Sequence, residues 1–205
     1  MLRKLFILIL ACLSVAGFAQ QEEEQFIHKH LVRADASIVA GVLLKDNINC
    51  VHVNGNLEYY LDNKISVRGD CNYMLGSNGL TTDSMGLKDN HSVMLGAAYH
   101  FHTNNHFDPY FILQPGFAYT SSYNARYSTL SPDNTKNIYY KPVISPLATA
   151  GLGFNYYFQR FAHLFLETRY VYGQHLSDAP KPMSLQEFRI TFGLGFNLFV
   201  IKEKK

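Results

Sequence analysis

From Ala34 onward, apolar and polar residues alternate along the chain with a period of two, the mark of a strand whose two faces meet different surroundings. In 51–61 one face carries Val51, Val53, Leu57, Tyr59 and Leu61, and the other His52, Asn54, Asn56, Glu58 and Tyr60. In 65–75, Ile65, Val67, Cys71, Tyr73 and Leu75 oppose Ser66, Arg68, Asp70, Asn72 and Met74. The same division runs through 92–102, 109–120, 144–158, 164–173 and 188–199, and more sparsely through 34–44, where Ile38, Val42 and Leu44 oppose Asp35, Ser37 and Gly41. The pattern predicts eight strands of roughly 10–14 residues, long enough to cross a bilayer at the tilt of a transmembrane barrel.

The connections point the same way. They are short after the second, fourth and sixth strands, near 62–64, 103–108 and 159–163. They are long and polar after the third, fifth and seventh, near 77–91, 121–143 and 174–187, while the first, near 45–50, is short. Short turns on one side and long loops on the other are the habit of outer-membrane barrels. Alternation alone fits a soluble barrel equally well, with the apolar face inward, so volume has to decide. The apolar faces hold more Phe, Tyr, Leu and Ile than the lumen of an eight-stranded barrel can contain, whereas the polar faces are rich in Gly, Ala, Ser, Asn and Thr. The bulky face therefore points outward, with Tyr59, Tyr99, Phe101, Tyr156 and Phe158 near the short-turn ends as an aromatic girdle. The expected fold is all-β, an eight-stranded antiparallel up-and-down transmembrane β-barrel.

The amino terminus adds a location. Leu5 to Ala19 is an apolar run of 15 residues broken by Ser14 and preceded by Arg3 and Lys4. It is shorter than the ~20 residues of a spanning helix. Its small-residue end, Ala16-Gly17-Phe18-Ala19, reads as a signal peptide cleaved after Ala19 or Gln20. Lipidation at Cys12 fits less well, because Leu10 stands where a small residue is usual. The expected division is a signal peptide over 1–19, a periplasmic tail over 20–33, the barrel over 34–201 and a short tail over 202–205. The whole chain has 18 Lys plus Arg and 16 Asp plus Glu; removal of Arg3 and Lys4 leaves equal numbers, and so no basic field that would hold nucleic acid.

Several stretches resemble a family. The signal peptide ending Phe18-Ala19-Gln20, the segment Ala150-Gly151-Leu152-Gly153-Phe154 and the closing Glu187-Phe188-Arg189-Ile190-Thr191-Phe192-Gly193-Leu194-Gly195-Phe196 are similar to the small OmpA/OmpX-like outer-membrane barrel proteins, especially the kind found in Bacteroidetes. The likeness covers nearly the whole mature chain. It implies a bacterial outer-membrane location, contact with membrane lipid and lipopolysaccharide, and assembly by the barrel-insertion machinery. It is uninformative about activity, since the family holds adhesins, stress proteins and enzymes. Barrels of this family usually end on an aromatic residue; here Phe199 is followed by Val200-Ile201-Lys202-Glu203-Lys204-Lys205.

Strand parity then places chemistry inside the lumen. A three-residue turn, Asp62-Asn63-Lys64, sets Glu58 opposite Arg68 with both side chains inward as a buried ion pair, and Asp70, Glu167, Arg169 and Arg189 join the same interior network. That network reads either as a gate across a narrow pore or as a plug of satisfied polar groups, and the small lumen of eight strands favours the plug. The same register turns Cys71 outward opposite Gly55, about five residues (~17 Å) from Cys50, which exceeds the ~7 Å Cα limit of a disulfide.

Two further constellations suggest activity. His100 and His102, with His106 and Asp108, could converge on a transition metal, although histidines lining a barrel mouth explain the pattern as well. His175 and Ser177, with Glu187 one hairpin away, are similar to the triad of outer-membrane lipid A deacylases, in which Ser attacks an acyl ester, His takes the proton and Glu orients it. Asp178 stands where that family's motif has Asn, and parity turns His175 and Glu187 toward the lumen. The sequence therefore predicts a non-enzymatic outer-membrane barrel with a polar, largely closed lumen, no cofactor, and long loops in a structural or surface-interaction role. A deacylase-like hydrolase using Ser177, His175 and Glu187 is the alternative, and a narrow pore the weaker one.

Overall fold

The computed structural model describes residues 26–101, 106–126, 136–180 and 183–199. The signal segment 1–19, His102 and the tail 202–205 lie outside these residues. Strands β1 (Val32–Leu43), β2 (Ile48–Tyr60), β3 (Ile65–Asn78), β4 (Met85–His100), β5 (Phe107–Arg126), β7 (Val143–Gln159), β8 (Ala162–Gly173) and β9 (Glu187–Phe199) form one antiparallel meander. Pairing of β1 with β9 and of β4 with β5 closes it into an eight-stranded barrel. The short β6 (Lys136–Tyr139) pairs only with the far end of β5, so it extends one loop and is no part of the wall.

The two faces fall as side-chain volume requires. Ile38 and Phe117 are 66% and 63% exposed on the outer wall, and Leu57, Tyr73, Leu95, Ile144, Leu152 and Phe192 are exposed beside them. Their polar neighbours along each strand are buried in the lumen, among them Asp35, Asn54, Glu58, Arg68, Asp70, Gln114, Glu167, Arg169 and Arg189. The band is continuous around a closed sheet that leaves no edge, and such a surface is stable only against lipid. Tyr59, Tyr99, Phe101, Tyr156 and Phe158 are all exposed on this wall.

The strands are longer than the alternation indicates. β4 begins at Met85 and β5 runs to Arg126, so much of the expected loops 77–91 and 121–143 is strand. In those extensions polar residues stand on both faces, as in Lys88-Asp89-Asn90, and a period-two pattern is silent there although the ladder continues through Asp89↔Ser121 and Gly86↔Tyr123. The expected tail 20–33 also differs. Val32 already belongs to β1, and residues 26–31 fold back into the short-turn mouth, burying Ile27 and Leu31 against Tyr60 and Tyr157. Backbone bonds hold this segment, His30 N–H to Tyr60 O at 2.9 Å and Tyr60 N–H to Leu31 O at 3.0 Å, and Lys29 N–H donates to Asn63 Oδ1 at 3.1 Å.

Lumen glycines act as sockets for large neighbours. A Cβ on Gly153 would lie 2.6 Å from the Tyr110 ring, and one on Gly41 would collide with the Glu187 carboxylate. A Cβ on Gly96 would stand 2.0 Å from the Leu113 carbonyl oxygen, a backbone atom that cannot step aside, whereas one on Gly76 meets nothing within 4 Å. Gly96→Ala is therefore expected to cost ~1–3 kcal/mol by overpacking and Gly76→Ala close to none, as read by urea unfolding of the refolded barrel in liposomes.

Candidate functional site: the barrel lumen

Buried side chains project into the lumen along its whole length, and their chemistry changes along the axis. At the short-turn end, Ile27, Leu31, Tyr60 and Tyr157 form an apolar cap, with Phe26 packed edge-on against Tyr157 at 6.2 Å between centroids. Above the cap, the Arg33 guanidinium donates to both phenolic oxygens, Tyr60 and Tyr157, at 2.9 Å each, and pairs with the Glu58 carboxylate. Glu58 also accepts from the Ser66 hydroxyl and lies 3.1 Å from His100 Nε2. The other ring nitrogen, Nδ1, lies 2.7 Å from Asp108, whose second oxygen accepts from Asn155 Nδ2 at 2.8 Å.

A second cluster sits farther along. Arg68 reaches across the lumen to Glu167 on β8 at 3.0 Å and along its own strand to Asp70 at 3.1 Å. Arg169 pairs with Glu167, donates to Asp70 at 3.0 Å and donates to Gln114 Oε1 at 2.8 Å. Gln114 closes the ring by donating to Asp70 Oδ2 at 2.6 Å, and the Tyr110 hydroxyl donates to Glu167 at 2.7 Å. Arg189 stands apart from both clusters and pairs with Glu187 at 2.7 Å.

The sequence-derived residues Glu58, Arg68, Asp70, Glu167, Arg169 and Arg189 are thus all buried in the lumen. Glu58 is directly opposite Arg68 in the register, but the two carry their strongest bonds elsewhere, Glu58 to Arg33 and Arg68 to Glu167 and Asp70. Arginine side chains are long enough to span the narrow interior, so they choose acceptors across the lumen as readily as on the adjacent strand. Register fixes which face a residue occupies and leaves its partner open. Arg33 lies where a tail is expected, ahead of the first alternating segment. Tyr60, Tyr110 and Tyr157 supply further lumen hydroxyls, and of these Tyr60 falls on the polar face by parity.

The long-loop end of the lumen is apolar. Leu43, Ile48, Met74, Leu87, Leu147 and Val171 form one buried cluster, into which the β8–β9 loop inserts Met183 and Leu185. The expectation of a polar lumen fails in this third because segments such as Val42-Leu43-Leu44 are apolar on both faces and show no alternation. The same loop is fixed by His175, whose Nδ1 lies 2.6 Å from Thr120 Oγ1 and whose Nε2 lies 3.1 Å from Ser122 Oγ. Burial holds this imidazole below its ordinary pKa, in the neutral form.

The triad suggested by sequence is not assembled. His175 is engaged with Thr120 and Ser122, the Ser177 hydroxyl accepts from Ala179 N–H at 3.2 Å within its own turn, and Glu187 is held by Arg189. Of the suggested metal ligands, His100 and Asp108 belong to the ionic cluster, and His102 lies outside the described residues. Among the described residues no group of three or more His, Cys, Asp and Glu side chains is placed to hold a metal ion. Cys71 faces outward opposite Gly55 and Cys50 faces the lumen, so the two free thiols project to opposite sides of the wall.

No family model matches the chain, and no curated protein matches it. Solved structures do. The outer membrane protein OprG of Pseudomonas aeruginosa superposes with a TM-score of 0.61 at 13% identity, over 86% of this chain and 100% of that one. Neisserial surface protein A gives 0.56 at 14% identity, over 82% and 96%. The N-terminal β-barrel domain of Pseudomonas aeruginosa OprF gives 0.53 at 16% identity, over 83% and 99%.

Arg33 ties together the most partners, so its loss is the sharpest test of the inner cluster. Arg33→Met is expected to lower stability by ~3–5 kcal/mol, measured by urea unfolding in liposomes, because it leaves the Glu58 carboxylate buried without its cation. Together, the closed eight-stranded wall, its continuous apolar belt and these structural likenesses identify the chain as folding into a small bacterial outer-membrane β-barrel.

Proposed function

We propose that this protein is a non-enzymatic outer-membrane barrel whose lumen is a structural plug and whose task lies at its outer loops. The observation that carries this reading is the succession of groups across the lumen: an aromatic and aliphatic cap at one mouth, crossed ion pairs in the middle and an apolar cluster at the other mouth. A permeant ion would have to displace Arg33, Arg68 and Arg169 from buried carboxylates, at the cost of separating each pair in a desolvated space. The plug in turn holds the wall round and the strand ends fixed, so the outer loops stand on a rigid base.

On this reading the partners are membrane lipid and lipopolysaccharide along the wall, the insertion machinery during assembly, and an extracellular ligand of the loops. The hydrolase alternative finds no support in the placement of Ser177, His175 and Glu187, each bonded to a different partner. The pore reading is tested directly by recording from the purified barrel in a planar bilayer. No stable single-channel steps are expected; reproducible steps that shift in size with Arg68→Met would overturn the plug.

A further inference from the structure

At the outer rim, the β1–β2 turn and the β8–β9 loop enclose a cleft of about 260 Å³ lined by Lys45, Asp46, Tyr172, Gln174, Ser184 and Gln186. The lumen below is apolar and the wall beside it is lipid-facing, yet here an amine, a carboxylate, two carboxamides and a hydroxyl gather beside one aromatic ring.

The walls are held in place mainly by backbone bonds, with the Ser184 hydroxyl accepting from Gln186 N–H at 3.3 Å and the Asp46 carboxylate accepting from Ser184 N–H. Leu44 N–H donates to Gln186 O at 2.8 Å, joining turn to loop, and Leu185 N–H donates to Gly173 O at 3.0 Å. His175 N–H donates to Met183 O at 3.0 Å, and Gln174 bridges Ser184 in a short antiparallel pairing. Met183 and Leu185 anchor the same loop in the apolar cluster below. A site fixed in this way loses little conformational entropy when it takes up a ligand.

The chemistry of the lining selects the ligand class. Carboxamides and a carboxylate donate to and accept from hydroxyl groups in pairs, and a tyrosine ring offers a flat apolar surface to the C–H face of a sugar. The volume is below the ~300–1,000 Å³ of pockets that hold drug-sized ligands, so it suits a single ring. The Asp46 carboxyl is half-buried, and burial pushes it up from its ordinary pKa against the pull of Lys45 and of the Ser184 N–H. Tyr172 is exposed on the outer wall near the end of its strand beside the β8–β9 loop.

We propose that this cleft binds one sugar ring of a saccharide, presented by an outer-leaflet glycolipid or free in solution. The proposal rests on the reading that this rim faces the cell exterior. The double variant Gln174→Ala, Gln186→Ala removes both carboxamide side chains while leaving the backbone bonds of the loop in place.

Purified wild-type and variant barrels in detergent micelles are titrated by calorimetry with lipopolysaccharide, with the lipid-free oligosaccharide released from it by mild acid, and with phosphatidylglycerol. The expected result is binding of lipopolysaccharide by the wild type that the variant weakens at least ~10-fold, with phosphatidylglycerol unaffected. The free oligosaccharide separates the sources: binding of it shows that the sugar alone suffices, and binding of lipopolysaccharide alone assigns the site to a membrane-anchored glycolipid. Equal binding by wild type and variant, or no binding of either saccharide, would overturn the cleft. Orientation is read separately, by labelling Asp178→Cys on intact cells with a membrane-impermeant maleimide. Labelling no higher than the wild-type background would overturn the orientation on which the proposal stands, whereas labelling with unchanged saccharide binding would remove the cleft alone.

Discussion

Everything in this barrel follows from the need to satisfy buried charge inside a wall whose other side is hydrocarbon. Outside is hydrocarbon, against which Ile38, Leu57, Phe117 and Phe192 are stable and no polar group is. Inside is a space that side chains just fill. Arg33, Glu58, Arg68, Asp70, Asp108, Glu167 and Arg169 lie in that space, and each finds its counter-charge on another lumen side chain. The crossed ion pairs tie strands that are not neighbours in the sheet, β3 to β8 and β1 to β5, so the interior braces the wall across its diameter. The sockets at Gly41 and Gly153 are the counterpart of that demand, because a large polar side chain on one strand needs a missing one opposite.

Most of the wall was legible in the sequence. Alternation in 51–61, 65–75 and 188–198 places each residue on the face where it is found, and the three-residue turn at Asp62-Asn63-Lys64 sets the Glu58↔Arg68 register. The reason is physical: a one-residue slip would put a whole row of Leu, Tyr and Phe into the lumen and a row of charges into lipid. Where that penalty vanishes, so does the signal. Lys88-Asp89-Asn90 lies in strand with polar groups on both sides, and Val42-Leu43-Leu44 is apolar on both, so neither the length of β4 nor the apolar outer third of the lumen could be read.

The site was legible by face and illegible by partner. Parity brings Glu58, Arg68, Asp70, Glu167, Arg169 and Arg189 to the interior, but the pairing of Arg68 with Glu167 depends on which strands face one another across the barrel, a property of strand tilt and closure that no local pattern carries. Arg33 and the cap formed by Ile27 and Leu31 precede the first alternating segment and carry no periodic mark. The same applies to the rim cleft, whose residues come from three separated stretches brought together by the β1–β9 closure.

The central claim is that the lumen is braced across its diameter and not merely along neighbouring strands. Two double-mutant cycles on the barrel in liposomes test it, one pairing Arg68→Met with Glu167→Gln and the other pairing Arg68→Met with Glu58→Gln. The account predicts that the first coupling is the larger, above ~1 kcal/mol, because those two side chains bond directly across the lumen. A larger coupling between Arg68 and Glu58, its direct neighbour in the sheet, would contradict it.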